Sequence, residues 1–201
     1  MIAIIDYDAG NIRSVEKAFL LLGEEVVLTR DATVLLHADK VVLPGVGAFG
    51  DAMMHLKKYE LEKVIPDIIA KGIPFLGICL GMQLLFEQSE ETPGVQGLGI
   101  LKGDIVRIPS GKGIKIPHMG WNSLRFPKES KLFSDISEES YVYFVHSYYL
   151  RAKEDIVTAT TDYQVQIHAA VEKGNVFACQ FHPEKSSKVG LRILKNFVEL
   201  N

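Results

Sequence analysis

Cysteine is scarce in this sequence: only Cys79 and Cys179 occur among 201 residues, one hundred positions apart and in neither CxxC nor zinc-type spacing. A disulfide scaffold or a cysteine metal knot is therefore not expected to hold the chain together. Long apolar runs are missing as well, since none approaches the ~18 residues that suggest a membrane span. No basic leader precedes the first apolar segment, so neither a signal nor a transit peptide is expected, and the cytosol is the expected compartment. Charge is close to balance, 22 Lys and Arg against 25 Asp and Glu for a formal net charge of -3. The basic excess that marks a nucleic-acid surface is not there. Internal repeats and low-complexity linkers are absent too, which favours one domain over residues 1–201.

What is present is an ordinary globular composition, 47% apolar and 23% charged, on a chain long enough to bury roughly 70% of the surface it exposes when unfolded. In the first ninety residues short continuous apolar runs, Ile2 to Ile5, Val26 to Leu28, Val41 to Leu43 and Phe75 to Ile78, alternate with amphipathic stretches. Such runs read as buried parallel strands joined by crossover helices. One helix is expected from near Asn11 through Val15, Ala18, Phe19 and Leu22, with Gly23 as its stop. Beyond Pro93, closely spaced glycines punctuate short β-like pieces. The runs Tyr141 to Tyr149, Ile156 to Thr161, Ile167 to Val171 and Val176 to Phe181 read as strands, several of them antiparallel, and a helix from Lys188 to Glu199 closes the chain. The expected fold is a single α/β domain with a mixed, mostly parallel central sheet flanked by helices.

Two segments carry chemistry. Gly77-Ile78-Cys79-Leu80-Gly81 is a G-x-C-x-G pattern where a buried strand meets the amphipathic stretch Met82 to Glu87. Small flanking residues permit the sharp, strained turn of a nucleophile elbow. Such a turn places Cys79 at a helix N-terminus, which favours thiolate over thiol, and puts the Leu80 amide in position to bind an oxyanion. Read alone, the same glycines also suit an ordinary turn with a buried thiol. The second segment, Gln180-Phe181-His182-Pro183-Glu184, ends a strand-like run. In extended geometry residues two apart project to one side, so Glu184 can orient His182 as general base and acid. In isolation, a surface histidine and a solvated glutamate around a turn proline are the favoured reading of H-P-E; pairing with an elbow cysteine reverses that preference.

Gly77 to Gln83 together with His182-Pro183-Glu184 resembles the class I, triad-type glutamine amidotransferases. The likeness is closest to the branch serving histidine biosynthesis. It is carried by Ile5-Asp6-Tyr7, Gly10 to Val15, Pro44 to Phe49, Pro117 to Asn122, Tyr143 to Tyr148 and His182 to Ser186, in this order along the chain. The resemblance implies that Cys79 attacks the side-chain amide of glutamine, that ammonia leaves, and that water hydrolyses the glutamyl thioester. It implies a heterodimer with a cyclase that receives the ammonia, and neither cofactor nor metal. By the same resemblance Val46 and Leu80 supply oxyanion donors; Gly47, Gln83, His146, Ser147 and Tyr148 contact the substrate; and His118, Trp121, Tyr143 and Lys185 lie toward the partner. Asp8 stands where many members of the family carry glycine, and aspartate tolerates positive φ better than most residues.

The triad alone also fits glutaminases of pyridoxal phosphate, anthranilate or guanylate synthesis; the Pro117 to Asn122 and Tyr143 to Tyr148 segments favour the histidine branch. A dienelactone-type cysteine hydrolase would place its acidic residue before the histidine, whereas Glu184 follows His182. A non-enzymatic scaffold would not need all three groups. Because Val46 lies between two glycines, the peptide carrying its amide is expected to rotate, and to be turned away from the site in the isolated chain.

Overall fold

In the computed structural model, which describes residues 1–111 and 113–200, a first series of elements alternates as the apolar runs predict. It comprises β1 (Ile2–Ile5), α1 (Ile12–Leu21), β2 (Val26–Thr29), α2 (Ala32–Leu35), β3 (Lys40–Leu43), α3 (Phe49–Lys58), α4 (Leu61–Ala70), β4 (Phe75–Ile78) and the short α5 (Leu80–Leu84). A second series is dominated by strands: β5 (Gln88–Ser89), β6 (Gly103–Arg107), β7 (His118–Ser123), β8 (Tyr141–His146), β9 (Tyr148–Ala152), β10 (Val157–Tyr163), β11 (Val165–Lys173) and β12 (Val176–Cys179). Helix α6 (Ser187–Val198) ends the chain.

One sheet takes in ten of the strands in the order β2-β1-β3-β4-β12-β11-β9-β6-β5, with β10 paired to β11 off this path. The strands from β2 to β12 run parallel; β11, β9 and β6 pair antiparallel. The parallel strands lack polar alternation because helices cover both their faces. Along β1, Ala3 and Ile5 pack with α3 and α4 residues such as Phe49, Leu56 and Ile65, while Ile2 and Ile4 pack with Phe19 of α1 and Phe197 of α6. Gly23 does stop α1: at φ 87° its amide reaches back to the Leu20 carbonyl at 3.0 Å. Asp8 does adopt positive φ, 66°, and its carboxylate is clasped by Arg30 at 2.8 Å and by the Tyr59 hydroxyl. No helix among the described residues is long and apolar enough to cross a membrane.

Three expectations change in detail. Tyr141 to Tyr149 is not one strand: it breaks at Ser147 into β8, which forms a separate two-stranded ribbon with β7, and β9, which joins the main sheet. The strand before His182 ends at Cys179, two residues early. The stretch after Cys79 is not amphipathic: all five residues of α5 are buried, and the helix packs against β4, β12 and α3.

Candidate active site

Strands β3, β4 and β12 are neighbours running the same way, so the residues following each meet at one end of the sheet. In open α/β sheets that end is where ligands bind. Cys79 follows β4 at φ 54°, ψ −109°, a conformation that costs a non-glycine residue on the order of 1–3 kcal/mol. The neighbours hold it there. A Cβ on Gly81 would overlap the Leu43 carbonyl oxygen, and one on Gly77 would come within 2.9 Å of the Gly81 carbonyl, so only glycine lets helix and strand approach this closely. Cys79 caps α5 and its own amide bonds the Cys179 carbonyl at 2.8 Å, pinning the elbow to β12.

His182 leaves β12 in extended geometry, φ −101°, but Pro183–Lys185 then turns as a 3-10 helix. The carboxylate thus reaches the imidazole through a turn and not through strand alternation. His182 Nδ1 lies 2.8 Å from Glu184 Oε1, with both side chains essentially out of solvent. A carboxylate only accepts, so Nδ1 carries the proton and Nε2 is left for the cavity, where it has no hydrogen-bond partner. Burial works against charging this imidazole, but the neighbouring Cys79 sulfur and Glu184 carboxylate outweigh it and push His182 up to about 9. Asn11 Nδ2 donates to the same Glu184 oxygen at 2.7 Å. Sequence reasoning assigned Asn11 no role in the site; the structure holds it at a left-handed φ of 67°.

A cavity of about 370 Å³ opens over Cys79 and is lined by nine of the expected residues: Val46, Gly47, Cys79, Leu80, Gln83, His146, Ser147, Tyr148 and His182. Glu91, Pro117 and Val145 join them without having been anticipated. Glu91 also accepts the Phe49 amide at 2.8 Å. Gln83 spends its amide nitrogen on the Tyr148 carbonyl (3.1 Å) and the Gln180 side chain (2.9 Å). The Leu80 amide is not free, as the elbow alone implied: it donates to the Gly45 carbonyl at 3.3 Å. In a trans peptide the C=O and the following N–H point opposite ways, so the Val46 amide is directed away from Leu80.

With this geometry in view, comparison with known proteins is decisive. Residues 3–200 match the family described as glutamine amidotransferase class-I. This chain belongs to the class I glutamine amidotransferases. It is 50% identical over 200 residues to a protein of Methanocaldococcus jannaschii named imidazole glycerol phosphate synthase subunit HisH, covering 100% of both. It is 52% identical over 197 residues to the protein of that name from Bacillus cereus strain G9842, covering 98% of this chain and 93% of that one. Among solved structures it resembles one described as a glutamine amidotransferase, with TM-score 0.77, 20% identity and coverage of 98% and 97%. It also resembles a glutamine amidotransferase of Thermotoga maritima, with TM-score 0.67, 19% identity and coverage of 98% of this chain and 80% of that one. These two likenesses speak for the amidotransferase fold.

The residues expected toward a partner divide in this amidotransferase. Trp121 and Tyr143 face each other across the β7–β8 ribbon, rings edge-on at 6.0 Å, and Trp121 is 51% exposed. Met119 and Tyr141 extend the exposed face. Lys185 is exposed beside them, next to Ser186, whose hydroxyl accepts the Tyr143 amide at 2.9 Å. His118 does not reach this surface. It is 3% exposed, stacked between Phe144 and Tyr163 with centroids at 4.8 and 3.9 Å, because β7 turns alternate residues inward. His118 Nδ1 lies 3.1 Å from His146 Nε2, and His146 Nδ1 lies 2.9 Å from the Tyr148 carbonyl. Burial holds both rings neutral, with His118 lowered to about 4 and His146 to about 3.

Proposed function

We propose that the chain, as one domain over residues 1–201, is the glutaminase of imidazole glycerol phosphate synthase in histidine biosynthesis. It hydrolyses glutamine to glutamate and ammonia and delivers the ammonia to the cyclase subunit. The cyclase uses it to form imidazole glycerol phosphate and the aminoimidazole carboxamide ribonucleotide. A heterodimer in the cytoplasm is the expected form. The observation that carries this reading is Cys79 held at positive φ just after β4, beside the segment following β12 that carries the His182–Glu184 pair, 2.8 Å apart.

Cys79 attacks the side-chain amide carbon as thiolate, while the carbonyl electron pair moves onto oxygen. His182 gives its Nε2 proton to the departing nitrogen, and ammonia leaves as the thioester forms. His182 then takes a proton from water, whose oxygen attacks the thioester; glutamate leaves and the thiolate returns. Glu184 keeps the proton of His182 on Nδ1 throughout. Glu91, in the wall of the cavity, suits the α-ammonium of glutamine.

The developing oxyanion needs donors, and losing one costs about 10²–10³ in rate. With Gly45 oxygen on the Leu80 amide, neither donor is presented. Turning the 45–46 peptide frees Leu80 and brings the Val46 amide inward, a change that ligand-loaded cyclase favours. Mixing the chain with cyclase and measuring glutamate release with and without the cyclase's nucleotide ligand tests this. Weak basal turnover, a large rise in kcat and a small change in KM are expected; an isolated chain as fast as the loaded complex would overturn the switch.

A further inference from the structure

Gln180 is fully buried, with 0% exposure, in a position that packing alone would give to an apolar residue. It follows Cys179, which is registered against Ile78, so it emerges from β12 beside Cys79 as that residue emerges from β4. Its Nε2 lies 3.8 Å from the Cys79 sulfur, within reach of a hydrogen bond to sulfur.

The orientation of that amide is not arbitrary. The Tyr148 carbonyl can only accept, so the Gln83 group 3.1 Å from it must be the NH₂. The same NH₂ is 2.9 Å from the Gln180 side chain and must find oxygen there, which leaves the Gln180 NH₂ facing the sulfur. A fixed backbone carbonyl thus polarises two side-chain amides in series and ends the chain on a donor at the nucleophile. The opposite polarity would put an amide oxygen against a thiolate.

The geometry points to Gln180 as a positioning residue that donates to the Cys79 sulfur and is held in that orientation by Gln83 and the Tyr148 carbonyl. Hydrogen bonding to the charged form favours that form, so the donor stabilises the thiolate before attack and aims its lone pair into the cavity. The inference rests on Cys79 being the nucleophile. The other titratable groups around this sulfur are His182 and Glu184 beyond β12, Cys179 on β12, Tyr7 beyond β1, and His146 on β8 next to His182. His182 lies beside this sulfur, so a measured midpoint is assigned to the pair.

The full chain in complex with its cyclase is alkylated with iodoacetamide across pH and the label on Cys79 is read; Cys79 lines the cavity, whereas Cys179 has 0% exposure and lies outside it. The midpoint for Cys79 should rise by roughly one pH unit in Gln180→Met, with a lower glutaminase kcat and little change in KM, and by more in Gln180→Glu. Gln83→Met, which leaves the sulfur untouched but frees the Gln180 amide to turn, should shift the midpoint the same way by less, and it serves if Gln180→Met does not fold. A merely structural role would lower melting temperature and leave the midpoints in place. Cys79→Ala is run alongside. Retained glutamine turnover in Cys79→Ala overturns the glutaminase reading and this inference with it. Lost turnover in Cys79→Ala with unshifted midpoints in the glutamine variants overturns this inference alone.

Discussion

The parallel part of the main sheet and the separate antiparallel β7–β8 ribbon are built for different tasks. In β1, β4 and β12 every residue is buried, since helices lie on both faces. The chain leaving such strands has no freedom, and Cys79 can be kept at φ 54° because Gly77 and Gly81 let α5 press against β3 and β4. In the β7–β8 ribbon, burial alternates: β8 buries Val142, Phe144 and His146 while Tyr141 is exposed and Tyr143 and Val145 are half-buried. One face of the ribbon packs into the core and the other carries exposed aromatics, while its end at Val145 and His146 walls the cavity. On the proposed reading, strain and nucleophile sit where the backbone is over-determined, and partner recognition sits where one face is free.

If that division is right, losses should be catalytic in the first region and associative in the second. Cys79→Ala carries the largest expected effect: glutamine-dependent synthesis falls by at least about 10⁴-fold, while synthesis from supplied ammonium persists. Loss of the ammonium-dependent reaction in an intact complex would break the separation. Glu184→Gln comes next, with glutaminase kcat down about 10²–10⁴-fold, KM nearly unchanged and cyclase affinity retained. On the ribbon, Trp121→Ala should weaken cyclase binding by about 30-fold, the range of an aromatic anchor, and leave the chain's own stability within about 0.5 kcal/mol. A titration of cyclase followed by calorimetry reads the first and thermal melts the second. Unchanged affinity in Trp121→Ala and Tyr143→Ala together would place the partner elsewhere.

The same contrast separates what was legible in the sequence from what was not. Strands β1 and β4 were readable to the residue because an all-buried strand is a plain apolar run. The ribbon was not, because bulky residues continue across Ser147 while the chain changes sheets, and only pairing with β7 decides that. The nearness of His182 and Glu184 was foreseen for the wrong reason, since a 3-10 turn and not strand alternation brings them together. Gln180, Asn11 and Glu91 carried no signal of their own type: a polar residue gains meaning from the partner folding gives it. The Gly45–Leu80 bond is a peptide orientation, which residue identity leaves open wherever glycines flank it.

The smallest expected effect sets the two regions against each other through pH. His182, at the parallel end, has its folded value raised from 6.5 to about 9, so between these limits the folded chain holds more protons than the unfolded one. Its contribution to stability is complete below pH 6.5 and is lost as pH rises through 9. His118 and His146, in the ribbon, have values lowered from 6.5 to about 4 and about 3. There the unfolded chain binds the extra protons, so stability is lost as pH falls from 6.5 toward those values. His118→Phe replaces one stacked ring by another between Phe144 and Tyr163, and gives up the bond to His146. It should therefore make the melting temperature less steep below pH 6.5 and leave the alkaline side unaltered, whereas His182→Gln should flatten the alkaline side alone. The shift amounts to a few degrees at pH 5, since a change of about 1 kcal/mol moves the melting temperature of a domain this size by roughly 2–4 °C. Melting curves of both variants that ran parallel to the unsubstituted chain from pH 4 to 9.5 would show that neither imidazole is held in its charge state by the region that encloses it.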